Sequence, residues 1–294
     1  MLWIILTAAA APLQVARNTL QRGLIAEAGP WGATLVRFLF GLPFSLLILA
    51  GVALANPDAQ PHLSVHFLLA VSIGAAGQVG ATAALLVAMR GAGVAVATFM
   101  QQASLPLGAV AGWALFGDHL SASGWVGLAL ACLGLGIISW PSRHDLAQSR
   151  GAILMGLVSG ACFAVTLNAY RQAGLALEPN APIYSAAGAV VVAQTLQTLG
   201  LGGYLALRRP QALAAIRGAW RSSLGAGFCG AAASACWFSA LALAPAGPVR
   251  AVGVIEAPIA ALVGRRLFRE RLTLRQTLGG FLTAVGVVLT ALGG

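Results

Sequence analysis

Lysine is absent from this chain. All 17 basic residues are arginine, the acids number only 7, and charged residues make up 8% of 294 positions. A soluble domain carries about 25% charged residues, so a surface that faces water on every side is excluded and the bilayer is the solvent. On a soluble protein the net charge of +10 would point to nucleic acid. Here the arginines stand between apolar spans, where topology and anionic headgroups use them, and no nucleic-acid recognition motif accompanies them. Cysteine is sparse too. Cys132, Cys162, Cys229 and Cys236 all fall inside apolar spans without metal-ligand spacing, which makes them small packing residues rather than a zinc or redox centre. His62, His66, His119 and His144 sit at loops or helix ends, and HExxH, GxSxG and paired aspartates are missing, which argues against a membrane-embedded enzyme. The chain has no nucleotide-binding motif, and no cofactor or metal is expected. The first span lacks a basic leading region and a cleavage site and reads as a retained helix.

What the chain has is apolar length: 59% of its residues are hydrophobic. Ten spans of about twenty residues fit, each long enough for a hydrocarbon core of roughly 30 Å. They are expected near 2–22, 32–55, 66–89, 93–115, 122–140, 151–174, 182–206, 222–243, 246–267 and 273–292, with breakers such as Asn56-Pro57, Pro141-Ser142, Pro179-Asn180 and Pro245 in the short connections.

A long internal repeat organises these spans. Shifted by 152 positions, Pro258, Gly264, Leu267, Phe268, Leu272, Gly279 and Gly286 fall on Pro106, Gly112, Leu115, Phe116, Leu120, Gly127 and Gly134, and Glu270 falls on Asp118. Pro182 likewise falls on Pro30. Two halves of five helices follow, 1–145 and 146–294, joined by the Pro141–Arg150 connection. An odd number of helices per half inverts the second half in the membrane, an arrangement of transporters. The fold expected is therefore all-α and integral to the membrane: ten transmembrane helices, two inverted repeats, one central cavity. Thirteen arginines fall in loops 1, 3, 5, 7 and 9, and only Arg171 and Arg250 in the even loops. The positive-inside rule then makes the odd loops cytoplasmic and puts both termini outside.

The stretches P106LGAVAGWALFGDHLSASGWVGLALACLGLG136 and P258IAALVGRRLFRERLTLRQTLGGFLTAVGVVL289 resemble the drug/metabolite transporter superfamily and, within it, the ten-helix EamA family. That family shows Pro, a small-residue helix, an acid-Leu turn and a Gly-spaced helix in each half. Arg37, in T34LVRFLFGLPF, is similar to the arginine common in the family's second helix. The resemblance implies a secondary transporter in the inner membrane, exporting amino acids or related metabolites by alternating access, with a central cavity lined from both halves. Family members usually keep basic cytoplasmic termini, a departure from the arginine bias here.

Glu256 lies about ten residues from either end of the ninth span. An acid at mid-bilayer costs roughly 2.5–3.5 kcal/mol, so it should face a cavity or a partner. One reading is a proton-carrying or amine-binding carboxylate; the other is an ion pair with Arg17 or Arg37 that holds helices together. Those two arginines sit about five residues inside expected helix ends, where snorkelling alone accounts for them, or where they form a positive mouth for a carboxylate. Gln14 and Asn18 share a helix face. With Gln78, Gln101, Gln102, Ser104, Asn168, Tyr170 and Trp237 they form the candidate substrate set, although interhelical bonding of about 0.6 kcal/mol is the ordinary fate of any single one. Pro106 and Pro258 are candidate hinges, and Asp118 and Glu270 read as caps of the helices that follow. The partners expected are a small-molecule substrate and lipid. A monomer and a homo-oligomer both remain open, as do a lipid, amphiphile or drug translocator and, behind these, a membrane-embedded enzyme.

Overall fold

The computed structural model of the chain describes residues 1–139, 150–256, 259 and 274–293. Pro258 and the charged turn at 269–271 lie outside the described residues. Every element among them is a helix: α1 (Leu2–Leu39), α2 (Leu42–Ala55), α3 (Val65–Gln101), α4 (Ser104–Phe116), α5 (Ala122–Ser139), α6 (Arg150–Ala176), α7 (Pro182–Arg208), α8 (Pro210–Gly218), α9 (Trp220–Leu243), α10 (Ala246–Gly253) and α11 (Leu274–Gly293). Five stretches are long and apolar enough to cross a bilayer, namely Ala28–Ala55, Val65–Ala88, Arg150–Ala176, Pro182–Arg208 and Trp220–Leu243. Ser104–Phe116, Ala122–Ile137 and Thr277–Gly293 are shorter apolar helices.

The helix boundaries differ from those expected wherever a connection lacks a breaker. Residues 24–28 contain no breaker, so α1 runs on to Gly29 and bends there, with φ 68°, ahead of Pro30. Its repeat counterpart, Pro182, instead starts a new helix after a true loop. Arg90 is not in a loop: Gly91 and Gly93 weaken the helix without ending it, and α3 continues to Gln101. Arg171 and Arg250, counted as loop arginines, are likewise inside α6 and α10.

The chain forms two compact units, each drawn from both halves of the sequence. The first comprises Met1–Ala75 and Ala169–Leu243, the second Ala76–Asn168 and Ala244–Gly294. In the first, Leu35, Val36 and Phe38 of α1 bury against Leu201 and Leu205 of α7, Ile216 of α8 and Ala226 of α9. Outward leucines such as Leu47, Leu54, Leu199 and Leu207 stay exposed on the free helix faces, the pattern of helices solvated by lipid.

In the second unit, α5 and α11 form a seam of small residues. A Cβ on Gly127 would stand 2.5 Å from the Thr290 amide nitrogen and 2.7 Å from the Gly286 carbonyl oxygen. One on Gly134 would stand 2.5 Å from the Thr283 nitrogen and 2.6 Å from the Gly279 oxygen. The backbones therefore touch, which only glycine permits. The pairing is reciprocal under the 152-residue shift: Gly127 meets Gly286 while Gly134, the equivalent of Gly286, meets Gly279, the equivalent of Gly127. A self-complementary contact of this kind is what a local two-fold axis produces.

Candidate functional site

The second unit holds the sharper cluster, and its geometry starts from two broken helices. Between α3 and α4 the chain leaves regular helix at Gln102–Ala103, and after α10 it does so at Val254–Ile255. These positions are 152 residues apart, and their hydrogen bonds repeat as well. Ala103 N–H donates to Met100 C=O (3.1 Å) and Leu107 N–H to Ala103 C=O (3.1 Å); Ile255 N–H donates to Val252 C=O (3.2 Å) and Ile259 N–H to Ile255 C=O (3.3 Å). Each break is one turn tightened from four-residue to three-residue bonding. The cause in the first half is Pro106, whose ring displaces the carbonyl four residues back, at Gln102; the Gln102 oxygen accepts instead from Leu105 N–H (3.0 Å). Gly160 of α6 lets the first break come close, since a Cβ there would lie 2.9 Å from the Gln101 carbonyl oxygen.

Polar side chains collect at the two breaks. Arg250 donates through one terminal nitrogen to Glu256 Oε1 (3.5 Å) and through the other to Gln102 Oε1 (3.3 Å). One guanidinium thus ties the acid beyond the second break to the amide at the first. The pair is only partly exposed, at 15% for Arg250 and 24% for Glu256. Glu256 therefore has an ion-pair partner that the sequence had assigned to a loop, whereas Arg17 and Arg37 belong to the other unit. Behind the first break, Gln101 donates to Ser159 Oγ (3.3 Å), which donates to the Ala81 carbonyl (2.8 Å). Ser104, the repeat counterpart of Glu256, is buried. Buried Asn168 donates to the Gly108 and Ala164 carbonyls, both at 3.0 Å, and Gln78 lies half-buried on α3. Asp118 is not the cap of α5. Its carboxylate folds back against Gly112, and Ser121 Oγ takes the capping amide of Gly124 (3.1 Å).

The first unit gathers the other candidates. Trp237 donates to Gln14 Oε1 (3.1 Å). Arg17 is 7% exposed, and its Nε and one terminal nitrogen donate to Asn18 Oδ1 (3.2 and 2.8 Å). Arg37 stands nine positions past Ala28, the start of its apolar span. A Cβ on Gly230 of α9 would lie 3.3 Å from Arg17 Cδ and 3.6 Å from Arg37 Cβ; the two cations flank one glycine. Buried Tyr170 accepts from Gln197 Nε2 (3.2 Å) and stacks on Phe238 with centroids 4.1 Å apart.

Arg250, Gln197 and the buried pair Ser45 Oγ–Gln194 Oε1 (2.9 Å) were missed in the sequence. Gln194 and Gln197, inside V190VVAQTLQTLG200, satisfy the same criterion of an amide within an apolar span that singled out Gln78. A pocket of about 410 Å³ lined by Gly51, Asn56, Pro182 and Leu243 contains none of the candidate residues.

Five helices long and apolar enough to cross a bilayer define a multi-pass membrane protein. Residues 150–292, just under half of the chain, match the EamA-like transporter family, whose members are membrane transporters of the drug/metabolite kind. No curated protein matches the chain. A solved structure, described only as a crystal structure of a protein, superposes with a TM-score of 0.70 at 16% identity, over 99% of this chain and 96% of its own. At that identity the likeness is one of fold.

Proposed function

We propose that the chain is a secondary transporter built as two inverted five-helix repeats, 1–145 and 146–294. It moves small zwitterionic metabolites, amino acids first among them, outward across the cytoplasmic membrane by alternating access. The paired breaks carry this reading. Two helices interrupted 152 residues apart, with one arginine between an amide at the first and an acid just past the second, are the discontinuous-helix arrangement in which transporters bind their cargo. The reciprocal glycine seam supports the inverted repeat, because an antiparallel self-complementary contact follows directly from it. The arginine bias supports cytoplasmic odd loops.

Mechanistically, Arg250 is the element with two arrangements. While Glu256 is ionised, Arg250 holds the two breaks together. A substrate ammonium, or a proton, taken up by Glu256 weakens that pair and releases Arg250 to a substrate carboxylate or to Gln102 alone. The ligand biases the equilibrium only as far as it interacts differently with the two arrangements. Pro106 keeps the first break mobile, and its counterpart Pro258 has the same part.

Counterflow in proteoliposomes tests this, with an amino-acid and nucleobase/vitamin panel at two pH values and Glu256→Gln alongside. Saturable exchange of one class is expected, with the pH-dependent net flux lost in Glu256→Gln. Flux that ignores both pH and the Glu256→Gln change would overturn the proton role. Exchange of no panel member by folded protein would overturn the zwitterion assignment.

A further inference from the structure

The first unit is charged unevenly along its length. Its acids are Glu27, Asp58 and Glu178. Glu178 accepts the backbone amides of Gln60 (2.8 Å) and Asn180 (3.2 Å), so it and the Asp58 loop stand at the Pro182 end of α7. The other end carries Arg208 and Arg209 at the α7–α8 corner, with Arg217 and Arg221 on either side of the α8–α9 corner. The 27 residues of α7, at about 1.5 Å each, set its ends roughly 40 Å apart. That exceeds a hydrocarbon core of about 30 Å, so the two ends meet opposite interfaces. All four arginines are exposed. Within the unit at most one of them is matched by an acid, since only Glu27 lies on the α1 segment, Leu24 to Ala28, that packs with α8.

The backbone fixes where these arginines stand. Arg209 N–H closes α7 on the Leu205 carbonyl (2.8 Å), and the Arg209 carbonyl opens α8 by accepting from Ala212 N–H (3.0 Å). At the next corner Ala219 N–H donates to the Ala215 carbonyl (3.0 Å), and its own carbonyl accepts from Ser223 N–H (3.0 Å). Ala212 and Ile216 bury one side of α8 in the core of the unit, which leaves Arg217 on its outer side. Arg209 and Arg217 are separated by the length of α8, about 12 Å. The surface beside the charges is apolar. Leu207 is 85% exposed, Tyr204 and Trp220 are half exposed, and Arg221 lies over the Trp220 ring at 5.4 Å. A soluble anion would use the charges and leave Leu207 and Tyr204 to water. A phospholipid uses both, and tyrosine and tryptophan mark the depth at which headgroup and chain meet. We propose that the α7–α8–α9 end of the first unit is a binding site for anionic phospholipid. Phosphodiesters sit on the Arg208–Arg209 and Arg217–Arg221 pairs, and an acyl chain lies along Leu207 and Tyr204. The site is independent of the transport reading.

The test uses the full chain in nanodiscs of equal parts phosphatidylcholine and phosphatidylglycerol with identical acyl chains. Mass spectrometry of the intact protein after release counts which lipid stays bound. Wild type is expected to retain phosphatidylglycerol in preference. One arginine near an anionic surface favours it about fivefold, so Arg208→Gln with Arg209→Gln, and separately Arg217→Gln with Arg221→Gln, should each lower the preference about ten- to thirtyfold. The two double variants are independent, so one serves if the other does not fold. The corresponding lysine pairs should keep most of the preference, because lysine also binds phosphate as a point charge. Asp58→Asn, at the opposite end of α7, raises the net charge without touching the site and should leave the preference unchanged. Equal retention of the two lipids by wild type overturns the proposal, as does a wild-type preference in both glutamine pairs. The same loss with lysine as with glutamine also overturns it, because charge is then not what is read. A preference that rises in Asp58→Asn makes total charge the cause and removes a located site. Displacement of the lipid by inorganic phosphate in the buffer removes the lipid assignment in favour of a soluble phosphate.

Discussion

Two regions of the second unit apply the same repeat in opposite ways. At the α5–α11 seam the 152-residue shift preserves the side chains: Gly127 and Gly279, Gly134 and Gly286 are identical pairs, and the contact they make is symmetric. At the helix breaks the shift preserves only the backbone. The turn and its hydrogen bonds recur, but Gln102 is matched by Val254 and Ser104 by Glu256. Packing needs the same small residue twice, because each backbone must approach the other. Under the proposed transport reading the breaks need different residues, because one asymmetric cargo molecule would meet both at once. The seam is symmetric, and the breaks depart from that symmetry in their side chains.

The largest effect expected is at the seam. Gly286→Ala places a methyl group onto the Ala131 backbone nitrogen and against the Gly127 carbonyl oxygen, 2.6 Å away. Both neighbours are main chain, so no rotamer change relieves the clash and the helices must separate. A loss of about 3 kcal/mol is expected, visible as a fall in thermal midpoint and in the monodisperse fraction on size exclusion. A midpoint indistinguishable from wild type would mean that the two backbones do not meet as described.

Next comes the network at the breaks. Arg250→Gln should leave the protein folded and lower counterflow at least about tenfold, the equivalent of 1.4 kcal/mol in the barrier. Glu256→Gln should lower pH-dependent net flux more than exchange. The ion pair is part-exposed, so its own coupling is put at only about 1 kcal/mol after allowance for solvent screening. A double-mutant cycle on thermal midpoints measures it. Strict additivity would show that Arg250 serves Gln102 and the cargo rather than Glu256.

Much of this comparison was legible in the residues. Composition named the solvent and the glycine spacing named the seam, because each rests on a regular pattern. The helix boundaries were not legible where connections carry no breaker. At 89–93 no proline ends the helix, and the break comes instead four residues before Pro106, where ring sterics place it. Arg250 was hidden for a related reason. It was counted with the even-loop arginines beside the Pro245 breaker, and only the folded chain brings its guanidinium to Glu256. Gln194 and Gln197 could have been found, since an amide inside a run of valines is the same signal wherever it occurs. Partition into two units was not legible, because a repeat fixes which segments are equivalent and not which ones pack together.

Pro106→Ala tests whether the break is a device or only a packing feature. Residue 106 is exposed, so removal of the ring leaves no cavity, and the four-residue bond to Gln102 can form again. Binding residues stay in place, so KM is expected to hold while turnover falls about three- to tenfold, as for a variant of a conformational step. A raised KM with unchanged turnover would move Pro106 from hinge to site support.

The smallest effect expected sharpens the seam by its neighbour. Gly280 follows Gly279 on α11, and a Cβ built there meets nothing within 4 Å. The two glycines point a third of a turn apart, so one faces α5 while the other looks away from it. If glycine on this helix were needed for flexibility, Gly280→Ala would damage the protein as Gly286→Ala does. If it is needed only where backbones touch, Gly280→Ala removes the entropic cost of a mid-helix glycine and leaves stability unchanged or raised by up to about 1 kcal/mol. Thermal midpoints of the two variants, measured side by side, decide between flexibility and contact.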